Sequence, residues 1–359
     1  VAAQRSPDGE GGEQPEFDGP GPGTVGPVDA FQRRHSVIGF PIAVIYKFID
    51  DFGGYLCALM TYYGFLSLFP VLLLLSTALS IILDGYPSWQ EAILDSALSD
   101  FPIVGDELRE TGSIGGGGPL SIILSGLAAL YGGLGIGQAV QYAMNTAWMV
   151  PRNSRPNPFA SRARGLLLLL VAGLTVTVTT AVTTYLQQLF EGDLVWVATT
   201  VASVAISTFV IGTVFVIATS RPLDPTDVLP GALLAAIGWQ IMQNVGTTYV
   251  GTVVARASNL NSVFAIVLGL LVFIYTIAVI GMICIEINVV RKERLWPRAL
   301  LTPFTDSVVL TEADQRAYSR HAMAQRLKGF QQIDVFFHDM RGDDDGLTED
   351  DSAHRPPTG

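Results

Sequence analysis

Histidine, cysteine and charge are all scarce in this chain. Its four histidines, His35, His321, His338 and His354, are scattered outside the apolar stretches of a 359-residue sequence. A metal-dependent hydrolase needs clustered histidine and carboxylate ligands, and no ligand-spaced group occurs. The two cysteines, Cys57 and Cys284, lie in apolar stretches and form no CxxC pair, which argues against a disulfide framework. No GxxxxGK[ST] loop is present, so a nucleotide-cradling motif of that type is excluded. Nor is there a nucleophile–base constellation, or a basic surface interleaved with aromatics that would hold nucleic acid. The expectation is a non-enzyme with no metal, no cofactor and no nucleic-acid partner. The first residues are polar and show no cleavable signal peptide, which leaves the first apolar stretch to direct insertion.

Charge is absent from six long stretches: Phe52 to Leu83, Thr111 to Pro151, Gly165 to Phe190, Leu194 to Ser220, Val228 to Ala255 and Ala257 to Ile285. Crossing a bilayer takes about 20 apolar residues in a helix, and each stretch is long enough. The chain is 49% hydrophobic and only 15% charged, with a mean hydropathy of +0.42. Soluble domains rarely combine such values. The expected fold is therefore all-α: a polytopic membrane protein with six transmembrane helices over 52–290.

Much of the acid behind the net charge of -11 sits in two Gly- and Pro-rich tails, 1–30 and 339–359. They hold too little apolar surface to order themselves and are expected to be disordered. Residues 31–51 mix aromatics with Arg33, Arg34 and Lys47, and read as an amphipathic helix on the inner membrane surface. In the long loop Asp84 to Gly118, Ser88 to Leu98 reads as an external surface helix anchored by Tyr86 and Trp89. Within the segment 291–338, Thr311 and Asp314 have capping-box spacing for a tail helix reaching about His338. On it Met323, Leu327 and Phe330 would share one face. That helix either packs under the membrane domain or docks a cytoplasmic protein through 311–338.

Basic residues decide orientation. Arg33, Arg34 and Lys47 precede the first span. Arg152, Arg155, Arg162 and Arg164 follow the second, Arg221 the fourth, and Arg291, Lys292, Arg294 and Arg298 the sixth. The alternate loops offer Arg109 and Arg256. Six spans with both termini in the cytoplasm satisfy this bias.

No ionisable residue lies in the middle of a span, which argues against an intramembrane carboxylate relay. Neutral polar groups are plentiful instead. Gln138, Gln141 and Asn145 fall on one face of the second span; Gln240, Gln243 and Asn244 do so on the fifth; the third is threonine-rich and includes Thr180 and Thr184. Amides and hydroxyls in hydrocarbon need partners. They either bond helix to helix or line a polar transport cavity between spans two, three and five. Pro70 interrupts the first span and reads as packing or a hinge. Pro230 reads as a first-turn proline of the fifth span. Gly133 and Gly137 form a GxxxG pair suited to close helix packing within the chain. Glu286 and Asn288 end the sixth span, either as a salt bridge to a cytoplasmic arginine or as the lining of an inner gate.

Three motifs resemble the YihY/BrkB family of bacterial inner-membrane proteins: Thr61 through Gly64 to Pro70, Leu229-Pro230-Gly231-Ala232, and Gly281 through Glu286 to Asn288. The resemblance covers about residues 35 to 298. It implies a multi-pass protein of the bacterial inner membrane and, loosely, export of envelope lipid precursors. A tRNA-processing ribonuclease label once attached to that family (ribonuclease BN) finds no supporting residues here. The expected function is transport or flipping of an amphipathic envelope molecule, with membrane lipids as partners. The alternative is a membrane scaffold. A homo-oligomer is compatible with either.

Overall fold

In the computed structural model, residues 25–82, 119–189, 193–254, 262–304 and 308–337 are described. The expected external helix 88–98 and most of both acidic tails lie outside the described residues; of the tail 1–30, expected to be disordered, residues 25–30 are described, and 27–30 are helical. All regular structure among the described residues is helical. Two short helices come first, α1 (Pro27–Arg34) and α2 (Ser36–Asp50). Six long ones follow: α3 (Gly53–Ile82), α4 (Pro119–Ala147), α5 (Pro158–Leu189), α6 (Asp193–Ala218), α7 (Pro225–Val254) and α8 (Ser262–Glu293). A last helix, α9, spans Glu312–Ala324.

The six long helices run 26 to 32 residues, or roughly 40–48 Å at 1.5 Å per residue. Successive members pack on one another, and α8 returns to pack on α3, which closes a ring. Contacts of α4 with α6 and α8 run across it. Among the described residues, four stretches are long and apolar enough to cross a membrane: Pro158–Leu189, Leu194–Ala218, Pro225–Gly246 and Val267–Glu293. Large apolar side chains point outward along them, such as Leu170, Trp196, Phe209 and Val272. A helix apolar all round suits lipid rather than water.

Small residues let the ring close up. A Cβ on Gly137 of α4 would stand 2.8 Å from the Cα of Gly165 in α5, so those two backbones touch. Gly132 similarly abuts the backbone of Ser67 in α3.

Charged and hydrogen-bonding residues gather at one end of the ring. There α1, α2 and α9 meet the start of α3, the α4–α5 and α6–α7 turns, and the end of α8. Asn153 N–H donates to the Arg326 carbonyl (3.1 Å), Arg164 Nη1 to Ser220 Oγ (3.2 Å), and Arg221 to Glu293 (2.7 Å). Arg320 of α9 also pairs with Glu293.

Local expectations need three further corrections. The 31–51 helix is two helices, because His35 takes an extended backbone (φ -116°, ψ 95°) between α1 and α2. The tail helix has the expected Thr311–Asp314 capping box but stops at Ala324, not His338. Arg326 is drawn off by Asn153, whose Oδ1 accepts from its Nε at 3.2 Å, so Leu327 and Phe330 share no helical face with Met323. Pro230 is not in the first turn: Pro225 opens α7, and Pro230 lies inside it. The helix passes this point because α8 supplies the missing bonds. Arg291 Nη1 donates to the Thr226 carbonyl that Pro230 leaves open (3.1 Å). Pro70 likewise lies within continuous helix, in α3.

Candidate functional site

The face of α4 that carries Gln138, Gln141 and Asn145 lines a cavity of about 350 Å³. Leu59 and Tyr63 of α3 form one wall, and Arg155 and Ser161, before and within the first turn of α5, form another. The helical spacing of the three α4 residues is what places them together. Their roles differ. Gln141 is buried and staples α4 to α5: its Nε2 donates to the Ser161 carbonyl (2.9 Å), and its Oε1 accepts from Ser161 Oγ (3.2 Å). Asn145, also buried, accepts from the Ser220 N–H (2.8 Å) and holds the α6–α7 turn. Gln138 is exposed on the cavity side and is the one of the three open to a ligand. Arg155 adds a cation, stacked 5.2 Å from the Tyr142 ring centroid. Arginine stays charged in proteins, so the cavity carries one fixed positive charge.

The other expected cavity residues lie elsewhere on the ring. Thr180 and Thr184 are near the far end of α5. Gln240, Gln243 and Asn244 are on α7, which packs between α6 and α8. None of the five lines the α4 cavity. Asn244 Nδ2 donates to the Gln240 carbonyl of its own helix (2.8 Å).

Glu286 and Asn288 are both fully buried and point to different neighbours. Asn288 inserts into α7: its Oδ1 accepts from Gly231 N–H (2.7 Å) and its Nδ2 donates to the Val228 carbonyl (3.0 Å). Gly231 is required there, because a Cβ would collide with the Cys284 carbonyl and the Asn288 amide. Glu286 faces α2 and is not paired with a cytoplasmic arginine. Its nearest cation is Lys47, with Nζ 3.5 Å from Oε2. Lys47 also binds Asp51 one helical turn on, and donates to the Ala147 carbonyl that ends α4 (3.0 Å). Burial works against the Lys47 ammonium, but the Asp51 and Glu286 carboxylates outweigh it and hold its pKa above the ordinary value.

A second buried cluster lies beside the first. Arg298 donates to Asp50 through Nη1 and Nη2 (both 3.1 Å) and to Asp314 through Nε. It also lies 5.2 Å over the Tyr318 ring. Burial pushes Asp50 above the usual carboxylate range even though Arg298 pulls the other way. Arg298 itself is held above its ordinary value: burial opposes its charge, and Asp50 and Asp314 overcome that. The cluster joins α2, the segment after α8, and α9. The sequence signal was available only in part: Lys47 and Asp51 have i,i+4 spacing, whereas Asp50 and Arg298 are far apart in the chain.

A family model described as virulence factor BrkB matches residues 44–303, a span that contains the α4 cavity and the Lys47–Glu286 cluster. The chain belongs to the BrkB family. Within that span fall the long helices and Arg298; α1 and α9 lie outside it. This BrkB-family chain is also similar to inner membrane protein YhjD of Escherichia coli (strain K12). Identity is 26% over 274 residues, covering 70% of this chain and 80% of that protein. No solved structure matches the chain.

Proposed function

We propose that this BrkB-family protein crosses the bacterial inner membrane six times and moves an amphipathic envelope molecule, a lipid or lipid precursor with an anionic head group. The observation that carries this reading is the α4 cavity, which sets Arg155 and the open amide of Gln138 beside Tyr142 and Leu59. The cation and amide suit a charged head group; the apolar outer faces of the ring suit its chains. The charged end carries Arg155, Arg164 and Arg298, and the positive-inside rule puts it, with both termini, in the cytoplasm. The head group would thus be taken up from the inner leaflet. The reading requires no catalytic step and no cofactor.

Reconstitution in liposomes tests it. The full chain should move a fluorescent anionic phospholipid between leaflets faster than protein-free vesicles do. A charged hydrogen bond contributes about 1.5–3 kcal/mol, so Arg155→Gln should slow transfer roughly tenfold or more. Gln138→Leu should slow it less. Transfer no faster than in empty vesicles would overturn the reading.

The scaffold alternative has one observation in its favour. Leu327, Phe330 and Phe336 are exposed beyond α9 and offer apolar contacts to a partner protein. Without lipid movement, and with a cellular phenotype abolished by deleting residues 325–337, the scaffold reading would replace transport.

A further inference from the structure

The Lys47 cluster does not balance its charge. Two carboxylates, Asp51 and Glu286, share one ammonium, and all three side chains are buried. Glu286 is 0% exposed, yet neither of its oxygens has a hydrogen-bond donor, and Asp51 Oδ1 lacks one as well. Lys47 spends its hydrogen bonds on Asp51 Oδ2 and the Ala147 carbonyl and reaches Glu286 only at 3.5 Å. Asp51 and Glu286 both approach the same Lys47 Nζ. Ionised carboxylates are acceptors only, and with the Lys47 hydrogen bonds already taken, a proton held by the pair supplies the donor these oxygens lack. A net negative charge left there would be costly, because the other buried cation beside it, Arg298, is already shared by Asp50 and Asp314.

The neighbouring groups do not change this balance. Cys57 of α3 is a buried free cysteine and gives Glu286 no hydrogen bond. Asp50, on the next position of α2, is taken up by Arg298, which is itself shared with Asp314. His321 of α9 lies at the edge, its Nδ1 3.6 Å from Asp51 Oδ1 and its side chain 39% exposed. It is the group that connects the buried pair to water.

We propose that Asp51 and Glu286 jointly hold one exchangeable proton beside Lys47, making the α2–α8 junction a proton-binding site reached from the cytoplasmic end through His321. The pair takes up the proton as a unit, and its release puts like charges between α2 and α8. The seat of α2 against the ring is thereby tied to proton occupancy. This holds whether or not the protein moves lipid.

Infrared spectroscopy of the full chain in nanodiscs tests it, using the C=O stretch of a protonated carboxyl and its shift in D2O. At neutral pH the wild type should show one buried protonated carboxyl. The band should be lost in Glu286→Gln and in Asp51→Asn and kept in Asp50→Asn. His321→Ala should keep the band and slow its exchange in D2O several-fold. A wild type without the band overturns the proposal, as does a band that survives both Glu286→Gln and Asp51→Asn. Loss of the band when sodium is raised at constant pH would assign the site to a metal cation instead. If Glu286→Gln does not fold, the wild-type band and its loss in Asp51→Asn decide the matter.

Discussion

The side chain of Asn288 in α8 inserts against Gly231 of α7, accepting from the glycine N–H at 2.7 Å and donating to the Val228 carbonyl at 3.0 Å. One amide thus binds both a donor and an acceptor of the helix around Pro230. Replacing it by leucine would take both bonds from these backbone groups, at about 1–3 kcal/mol each. Asn288→Leu is therefore expected to lower stability by about 2–5 kcal/mol, read as an earlier thermal unfolding transition in detergent micelles. An unchanged transition would show that this part of α7 does not depend on the Asn288 amide.

Two glycines should respond to alanine with opposite signs. Gly137 touches the Gly165 backbone, so an added methyl must push α4 from α5, at a cost of about 1–3 kcal/mol. Gly173 of α5 has open space around its Cβ direction, and there alanine should stabilise the helix by roughly 0.5–1 kcal/mol. Thermal unfolding of Gly137→Ala and Gly173→Ala checks both. Matching effects would mean that backbone contact between α4 and α5 is not what limits the position.

Arg298 holds the tail helix in place. Arg298→Met would strand Asp50 and Asp314 without their shared cation, and breaking a buried pair costs about 3–5 kcal/mol. Helix α9 should loosen, and trypsin should cut at Arg316 and Arg320 much faster than in the wild type. Arg298→Lys should rescue little, because one ammonium cannot reproduce three guanidinium hydrogen bonds to two carboxylates. Full resistance to trypsin in Arg298→Met would show that the alanine face of α9 suffices.

Tyr318 makes stability fall at high pH. Burial, helped by Asp50 and opposed by Arg298, pushes its phenol up from 10.0 to about 12. The contribution is fully present below pH 10 and is lost as pH rises from 10 to about 12, where only the unfolded chain releases the proton. Lys47 acts in the same direction above its ordinary value of 10.5. Tyr318→Phe should remove the tyrosine part and leave a shallower loss over that range. Phenolate absorbance in the folded wild type gives the direct reading, and a tyrosine titrating at its ordinary value would contradict it.

The long charge-free runs made the apolar helices legible, since hydrophobicity over some 20 residues is a property of sequence alone. So did the α4 face, because residues at i, i+3 and i+7 fall together on a helix whatever surrounds it. The tail helix was legible at its start and not at its end. Thr311 and Asp314 mark an N-terminus locally, whereas its stop at Ala324 depends on Asn153, far away in the chain. The ends of α4 and α8 were similarly hidden. Both close with a non-glycine residue in left-handed backbone, Met149 (φ 51°) and Arg294 (φ 53°). The following N–H groups reach back to the Asn145 and Val290 carbonyls, so the usual glycine marker is missing.

Sequence alone determined that this chain is built of apolar helices and belongs in a membrane, because lipid admits few other ways of satisfying a backbone. Only the tertiary structure decided which polar residues meet. It separated the α7 amides from those of α4, set Asn288 into α7 against Gly231, and brought Lys47, Asp51 and Glu286 into one buried cluster. Those pairings depend on which helices are neighbours in the closed ring, and helix order in space is set by long-range packing that no local pattern records.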